Sequence, residues 1–156
     1  MKIKNLYLFL VYLSISTFIW SQNSALNDAY ILHTESEYAQ SVGLSITNLN
    51  GVELEAFDIW LYANPNIIEF TGVQWHEDAP FDVSNYSLLS NIHDDTLKIA
   101  SYSMNNIYNG DGGSILNILY NVVGEEGNIT NIDFVRFEIG SNYIDNTISS
   151  EVRIIP

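Results

Sequence analysis

Residues 55–63 read EAFDIWLYA and contain the clearest structural signal in the chain. Side chains on a β-strand point alternately to the two sides of a sheet. In this stretch Phe57, Ile59 and Leu61 would share one side, and Asp58, Trp60 and Tyr62 would share the other. The purely apolar set is the natural core side. The stretch therefore predicts a strand with one buried face and one outward face that mixes an acid with large aromatic rings.

Short runs of similar character recur along the chain, separated by clusters of Asn, Gly, Asp and Pro that suit tight turns. We predict strands at 29–34, 42–47, 54–63, 67–75, 96–103, 114–123, 129–139 and 151–155. Alternation predicts further core positions at Val42, Leu44, Ile46, Ile118, Tyr120 and Val122. Near Val135 the alternation changes parity, which predicts a β-bulge. Many short strands with negligible helix indicate an all-β fold, an antiparallel sandwich of two sheets.

The first 21 residues have the pattern of a secretory signal peptide. Lys2 and Lys4 precede an apolar run at residues 6–20, and the small residue Ser21 follows. The alternative, a retained membrane anchor, would need roughly 20 apolar residues. We therefore expect residues 1–21 to be removed and residues 22–156 to form a single domain. The protein would then be secreted or displayed at the cell surface, with the periplasm as another address, and would not insert in the membrane after cleavage.

The charge balance excludes two classes of partner. The chain has 156 residues, with 19 acidic and five basic side chains and a formal net charge of −14. Loss of Lys2 and Lys4 would leave three cations against 19 acids, a net charge of −16. Such a chain repels nucleic acid and anionic lipid headgroups, so neither is an expected partner. Acidity of this kind keeps a secreted protein soluble, and it could also recruit a basic partner or calcium.

Two long stretches resemble a cohesin domain. Residues 42–75, VGLSITNLNGVELEAFDIWLYANPNIIEFTGVQW, are similar to its first half, and residues 97–128, LKIASYSMNNIYNGDGGSILNILYNVVGEEGN, are similar to its second. The final EVRIIP looks like the closing strand. The resemblance implies a jelly-roll sandwich of about nine strands, related to carbohydrate-binding modules. It also implies a non-catalytic protein that holds a dockerin, a small calcium-loaded module, on one sheet face.

The resemblance places Asp58 at a position that cohesins often use for the dockerin contact. The polar residue that the family usually has two positions earlier is Ala56 here. We therefore predict a binding face at Asp58, Trp60 and Tyr62, because exposed aromatic rings in a row mark protein hot spots or platforms for sugar rings. The alternative is that a loop or a neighbouring strand covers these rings.

No sequence motif indicates an enzyme or a cofactor. The chain lacks a nucleophile elbow, a phosphate-binding loop and a zinc-protease helix. His33, His76 and His93 are scattered without the spacing of metal ligands. No catalytic residue is therefore assigned.

The function that we predict is an exported binding module for a dockerin-like protein or a polysaccharide, with a role in extracellular polysaccharide degradation as one consequence. The alternatives are a structural or assembly module of a cell-surface complex, and an enzyme with an unrecognised site.

Residues 109–113, NGDGG, are the one weak candidate for a metal site. Asn109 and Asp111 could donate oxygen ligands to calcium, but a full calcium loop continues to a bidentate acid that is missing here. Asn-Gly and Asp-Gly are favoured turn pairs, so we interpret the segment as a turn. We expect the same melting temperature in millimolar calcium and in chelator. A rise with calcium would instead reveal a site, because a ligand of the folded state stabilises it.

Overall fold

The computed structural model describes residues 23–26, 29–32, 39–49, 51–104 and 107–156. These residues form twelve β-strands and a short 3-10 turn at Val83–Asn85. The strands are β1 (Asn23–Leu26), β2 (Ala29–Leu32), β3 (Gln40–Thr47), β4 (Ala56–Tyr62), β5 (Ile68–Trp75), β6 (Tyr86–His93), β7 (Thr96–Ser103), β8 (Gly112–Val122), β9 (Ile129–Ile139), β10 (Asn142–Tyr143), β11 (Thr147–Ile148) and β12 (Ser150–Ile155).

The predicted signal peptide at residues 1–21 lies outside the described residues, so it stays a prediction. Residues 33 and 34 of the first predicted strand also lie outside them. Among the residues that are described, no helix is long and apolar enough to cross a membrane.

The strands form two sheets of a sandwich. The smaller sheet has the order β11-β1-β3-β8-β5, and the larger has the order β2-β12-β9-β4-β7-β6, with β10 paired to β9. Neighbouring strands run antiparallel except for β1 with β11 and β2 with β12, which are parallel. Strand β4 pairs with β7 on one side and β9 on the other, so it is central in the larger sheet. The predicted all-β sandwich is confirmed, with twelve strands instead of about nine.

The core lies between the two sheets and contains every position that alternation predicted. Phe57, Ile59 and Leu61 of β4 expose at most 3% of their surface. The predicted residues of β3 and β8 are buried as well, namely Val42, Leu44, Ile46, Ile118, Tyr120 and Val122. Burial raises the pKa of the Tyr120 hydroxyl to about 12, because the phenolate would lose its hydration there. Period-two patterning was therefore sufficient to identify the buried side of three strands.

The predicted bulge is present in β9 where it pairs with β4. Trp60 of β4 is opposite Arg136, but the next residue, Leu61, is opposite Phe134. Val135 is therefore the extra residue of β9, and it is about half exposed. Its insertion explains how Phe134 and Phe137 can both point to the core side although three positions separate them.

Aromatic side chains close one end of the sandwich. The Phe81 ring contacts the rings of Trp75, Tyr86 and Tyr108, with centroids 4.6–5.6 Å apart. The buried Tyr86 hydroxyl donates a hydrogen bond to the Leu54 carbonyl at 2.7 Å and accepts one from the Tyr108 amide at 3.1 Å. These bonds fix the chain that enters β4 and the chain that precedes β8.

Truncation of Ile59 tests the core assignment. Ile59→Ala should lower the free energy of unfolding by about 2–5 kcal/mol, because the side chain is fully buried and its loss opens a cavity. The exposed bulge residue offers the control, since Val135→Ala should change stability by less than about 0.5 kcal/mol. Chemical denaturation would measure both variants. Equal losses for the two would contradict the assignment of β4 as a core strand.

Candidate functional site

The outer surface of the larger sheet carries the residues that were predicted to bind a partner. Ala56, Asp58, Trp60 and Tyr62 alternate with the buried residues of β4 and form one outward column. Asp58 and Trp60 are partly exposed, and Tyr62 exposes 42% of its surface. The structure therefore brings the three predicted residues together on one face. Their role in binding stays a prediction.

Two cations lie over the Trp60 ring. Lys98 of β7 and Arg136 of β9 are the cross-strand neighbours of Trp60 on its two sides. The Lys98 Nζ lies over the indole at 4.3 Å from the ring centroid, and the Arg136 guanidinium carbon lies over it at 5.1 Å. The two cations come from opposite sides of β4, and both lie over the ring. Cation–π attraction of this kind holds an aromatic side chain in place.

Asp58 joins the same cluster through polar contacts. The Trp60 Nε1–H donates a hydrogen bond to Asp58 Oδ1 at 2.9 Å. The Arg136 Nε lies 3.2 Å from Asp58 Oδ2, which is an ion pair, although Nε makes no aligned hydrogen bond within the described part of the chain. Arg136 also donates from its NH2 group to Glu138 Oε2 at 2.7 Å. This hydrogen bond and the nearby acids raise the pKa of Arg136, so the guanidinium stays charged.

A shallow depression adjoins this cluster on the same face. Its volume is about 200 Å³, and its lining includes Asp58 of β4, Lys98 and Ala100 of β7, and Leu89 of β6. The methyl group of Ala100 leaves room between its longer neighbours, and Leu89 exposes 60% of its surface. The depression can therefore accept one apolar side chain beside the charged cluster.

The cations of the chain are concentrated on this sheet. Apart from Lys2 and Lys4, the sequence contains only Lys98, Arg136 and Arg153. All three lie on the outer side of the larger sheet, where Arg153 of β12 pairs with Glu151 at 2.7 Å. The cluster around Trp60 has two acids and two cations and is therefore neutral. A partner can approach this region without the repulsion that the acidic remainder of the chain would exert.

Comparisons with solved structures identify the architecture. The cohesin module of a family 33 glycoside hydrolase from Clostridium perfringens superposes with a TM-score of 0.67 at 15% identity, over 86% of this chain and 97% of that one. A non-cellulosomal cohesin from the archaeon Archaeoglobus fulgidus gives a TM-score of 0.64 at 16% identity, over 87% and 92%. The chain has a cohesin-like fold.

A third solved structure with a similar fold is a complex of a cohesin with a dockerin. The Coh-OlpA–Doc918 complex from Clostridium thermocellum, a type I cohesin–dockerin complex, gives a TM-score of 0.65 at 13% identity, over 86% of this chain and 99% of that one. No family model matches the sequence, and neither does any curated protein sequence. The structural comparisons therefore support the fold that the sequence resemblance predicted. At this low sequence identity they show the fold alone.

Sequence reasoning missed three members of the cluster around Trp60, namely Lys98, Arg136 and Glu138. Each becomes a neighbour of β4 only through strand pairing, which a pattern within one strand does not reveal. Two signals could have found the cations. They are two of only three basic residues after the predicted signal peptide, and the parity change at Val135 turns Arg136 to the outer side.

No group of three His, Cys, Asp or Glu side chains suits a metal ion within the described ranges, and His33 lies outside them. In the segment with Asn109 and Asp111, the backbone at Gly112 requires a glycine. Gly112 has φ +106°, and a Cβ there would lie 2.0 Å from the Ile46 carbonyl oxygen. The glycine is therefore needed for the close approach of β8 to β3.

Removal of either cation should loosen the Trp60 ring. In a Trp75→Phe background, Arg136→Met or Lys98→Met should make Trp60 fluorescence more sensitive to quenching by acrylamide, because the indole loses one of the two charged groups that lie over it. Arg153→Met is a matched control, since Arg153 also pairs with an acid two residues away but has no contact with Trp60. An equal effect of all three variants would contradict the packing described here.

Proposed function

We propose that the protein is an exported, non-catalytic module that binds a dockerin-like protein partner on the outer face of β9, β4, β7 and β6. Its cohesin-like fold supports this proposal, because solved structures with that fold include complexes of cohesins with dockerins. The sequence pattern of residues 1–21 supports export.

The observation that carries the proposal is the packing of Trp60. A sugar ring binds to tryptophan by stacking on a free face of the indole, but Lys98 and Arg136 both lie over the indole here and would compete with a sugar ring for that position. A protein partner needs only the exposed edge of the ring and the charged groups around it. Tryptophan and arginine are the residue types that contribute most at protein interfaces. The cluster therefore favours a protein over a polysaccharide.

The surroundings of Trp60 also suit a protein. The depression over Ala100 offers a place for an apolar anchor, and Lys98 and Asp58 at its border offer opposite charges. An interface of this composition has an apolar centre with a polar rim. Ala56, the first residue of the outward column, has no polar group. The neighbour of Ala56 on β7 is Tyr102, whose ring is exposed. The partner should therefore contact this end of the face by apolar surface.

Binding assays with two panels test the proposal. The wild type would be measured by calorimetry against dockerin modules and soluble polysaccharides, and used to capture partners from the secreted proteins of its own organism. Trp60→Ala should weaken binding of the protein partner by about 2 kcal/mol or more, which is the usual loss at a hot spot. Asp58→Ala should also weaken it, because Arg136 then loses a partner.

Glu126→Ala provides the control, since Glu126 lies in an exposed loop between β8 and β9. If Glu126→Ala weakens binding while Trp60→Ala and Asp58→Ala leave it unchanged, the partner uses the loops and the proposed face is wrong. If the wild type binds only polysaccharides and Trp60→Ala abolishes that binding, the ligand of this face is a glycan and not a protein. The salt dependence of association also separates a protein partner from a glycan. Association with a protein that is steered by charge should slow as ionic strength rises.

A further inference from the structure

The four edges of the two sheets differ in how well they are protected against pairing with another chain. Natural sheets protect their edges with short strands, bulges, charges or proline. Strand β11 has two residues and β2 has four, so both are short. Strand β5 contains a bulge between Phe70 and Gly72 and carries the exposed acid Glu69. Three edges therefore carry a protective feature.

Strand β6 is the exception. It has eight residues, YSLLSNIH, without Asp, Glu, Lys, Arg or Pro, in a chain with 19 acidic residues. Its register with β7 runs from Tyr86 to His93 without a shift, so no bulge interrupts it. Leu89 exposes 60% and Ile92 exposes 43% of their surface. A long, uncharged and partly apolar edge of this kind is a template for another strand.

The turn that follows β6 determines which backbone groups are free. Asp94 and Asp95 form a two-residue turn with φ of +49° and +60°, so His93 and Thr96 form the hydrogen-bonded pair that closes the hairpin. Hydrogen-bonded and non-hydrogen-bonded pairs alternate along an antiparallel ladder. The amide and carbonyl groups of Leu88, Ser90 and Ile92 therefore point away from β7, toward the open edge.

We propose that two copies of this chain associate by antiparallel pairing of their β6 edges, about a two-fold axis at Ser90. This register places Ser90 opposite Ser90 of the second copy, and Leu88 opposite Ile92 on both sides of the axis. The free backbone groups are then paired, and the exposed side chain of Ile92 meets the partly buried side chain of Leu88. No acidic residue of one strand is opposite an acidic residue of the other, which matters because each copy has a net charge of −14.

The association should be weak and should strengthen with salt. One strand from each copy buries less than the roughly 1,200 Å² of a stable complex, so we expect a dissociation constant between about 1 μM and 1 mM. Salt screens the repulsion between two acidic chains and leaves the uncharged edge unaffected. A dimer held by ion pairs of the Trp60 cluster would show the opposite salt dependence.

Sedimentation equilibrium of the purified protein and of two charge-matched variants tests the edge. Ile92→Lys places a charge at the pairing edge and should weaken the dimer by about tenfold or more. Thr96→Lys adds the same charge on β7, one strand away from the edge. It should change the dissociation constant of the dimer by less than about twofold. A wild type that stays monomeric at all concentrations and salts, or equal weakening by both variants, would overturn the proposal.

Single cysteines test the register, because the chain contains no cysteine of its own. Hydrogen-bonded antiparallel partners have Cα atoms about 5.5 Å apart, which a disulfide can span. Ser90→Cys should therefore form a disulfide-linked dimer under mild oxidation. Ser87→Cys should not, since the two Ser87 positions would lie about 20 Å apart in this register. Equal cross-linking of both variants would show random collision and refute the pairing. The outcome is independent of the proposed partner, because no partner is present.

Discussion

The register of β4 between β7 and β9 determines both the core and the outer face of this protein. Because side chains alternate strictly along a strand, a shift of one residue would bury Trp60 and expose Ile59. Such a shift would place a carboxylate and an indole N–H in a largely apolar core, where both would lose their hydration and lack hydrogen-bond partners. Ile59 and Leu61 are completely buried, so the core side holds the strand in one register. The outward column is a consequence of that requirement.

The bulge at Val135 couples this register to the charged cluster. In an uninterrupted β9, Phe134 and Arg136 would share one side of the sheet, so Arg136 would point into the core when Phe134 does. The extra residue reverses the parity, and the guanidinium instead reaches Trp60 and Asp58 on the outer side. One inserted residue therefore keeps two phenylalanines in the core and places an arginine on the surface. Bulges commonly direct a side chain to a functional site in this way.

Alternation predicted the long strands well because each of them buries one face. It failed at β6, where Leu88 and Leu89 are adjacent and Ser and Asn occupy both sides, because an edge strand buries too little surface to require a strict pattern. The following turn also lacks the usual glycine, since Asp94 and Asp95 adopt positive φ themselves. The outward position of Trp60 was predictable from β4 alone. The cations over its ring were not, because their contacts depend on pairing between distant parts of the sequence.

The cluster around Trp60 shows what kind of recognition this face can perform. The indole is fixed by its hydrogen bond to Asp58 and by the two cations over its ring, so little side-chain freedom remains to be lost when a partner binds. The same contacts occupy part of the Asp58 carboxylate, which limits what that acid can offer to a partner. Specificity must then come from groups with fewer internal contacts, the Lys98 ammonium and the exposed Leu89. A partner that presents an apolar side chain next to a carboxylate would match both, and it would meet a neutral surface on a protein that is acidic elsewhere.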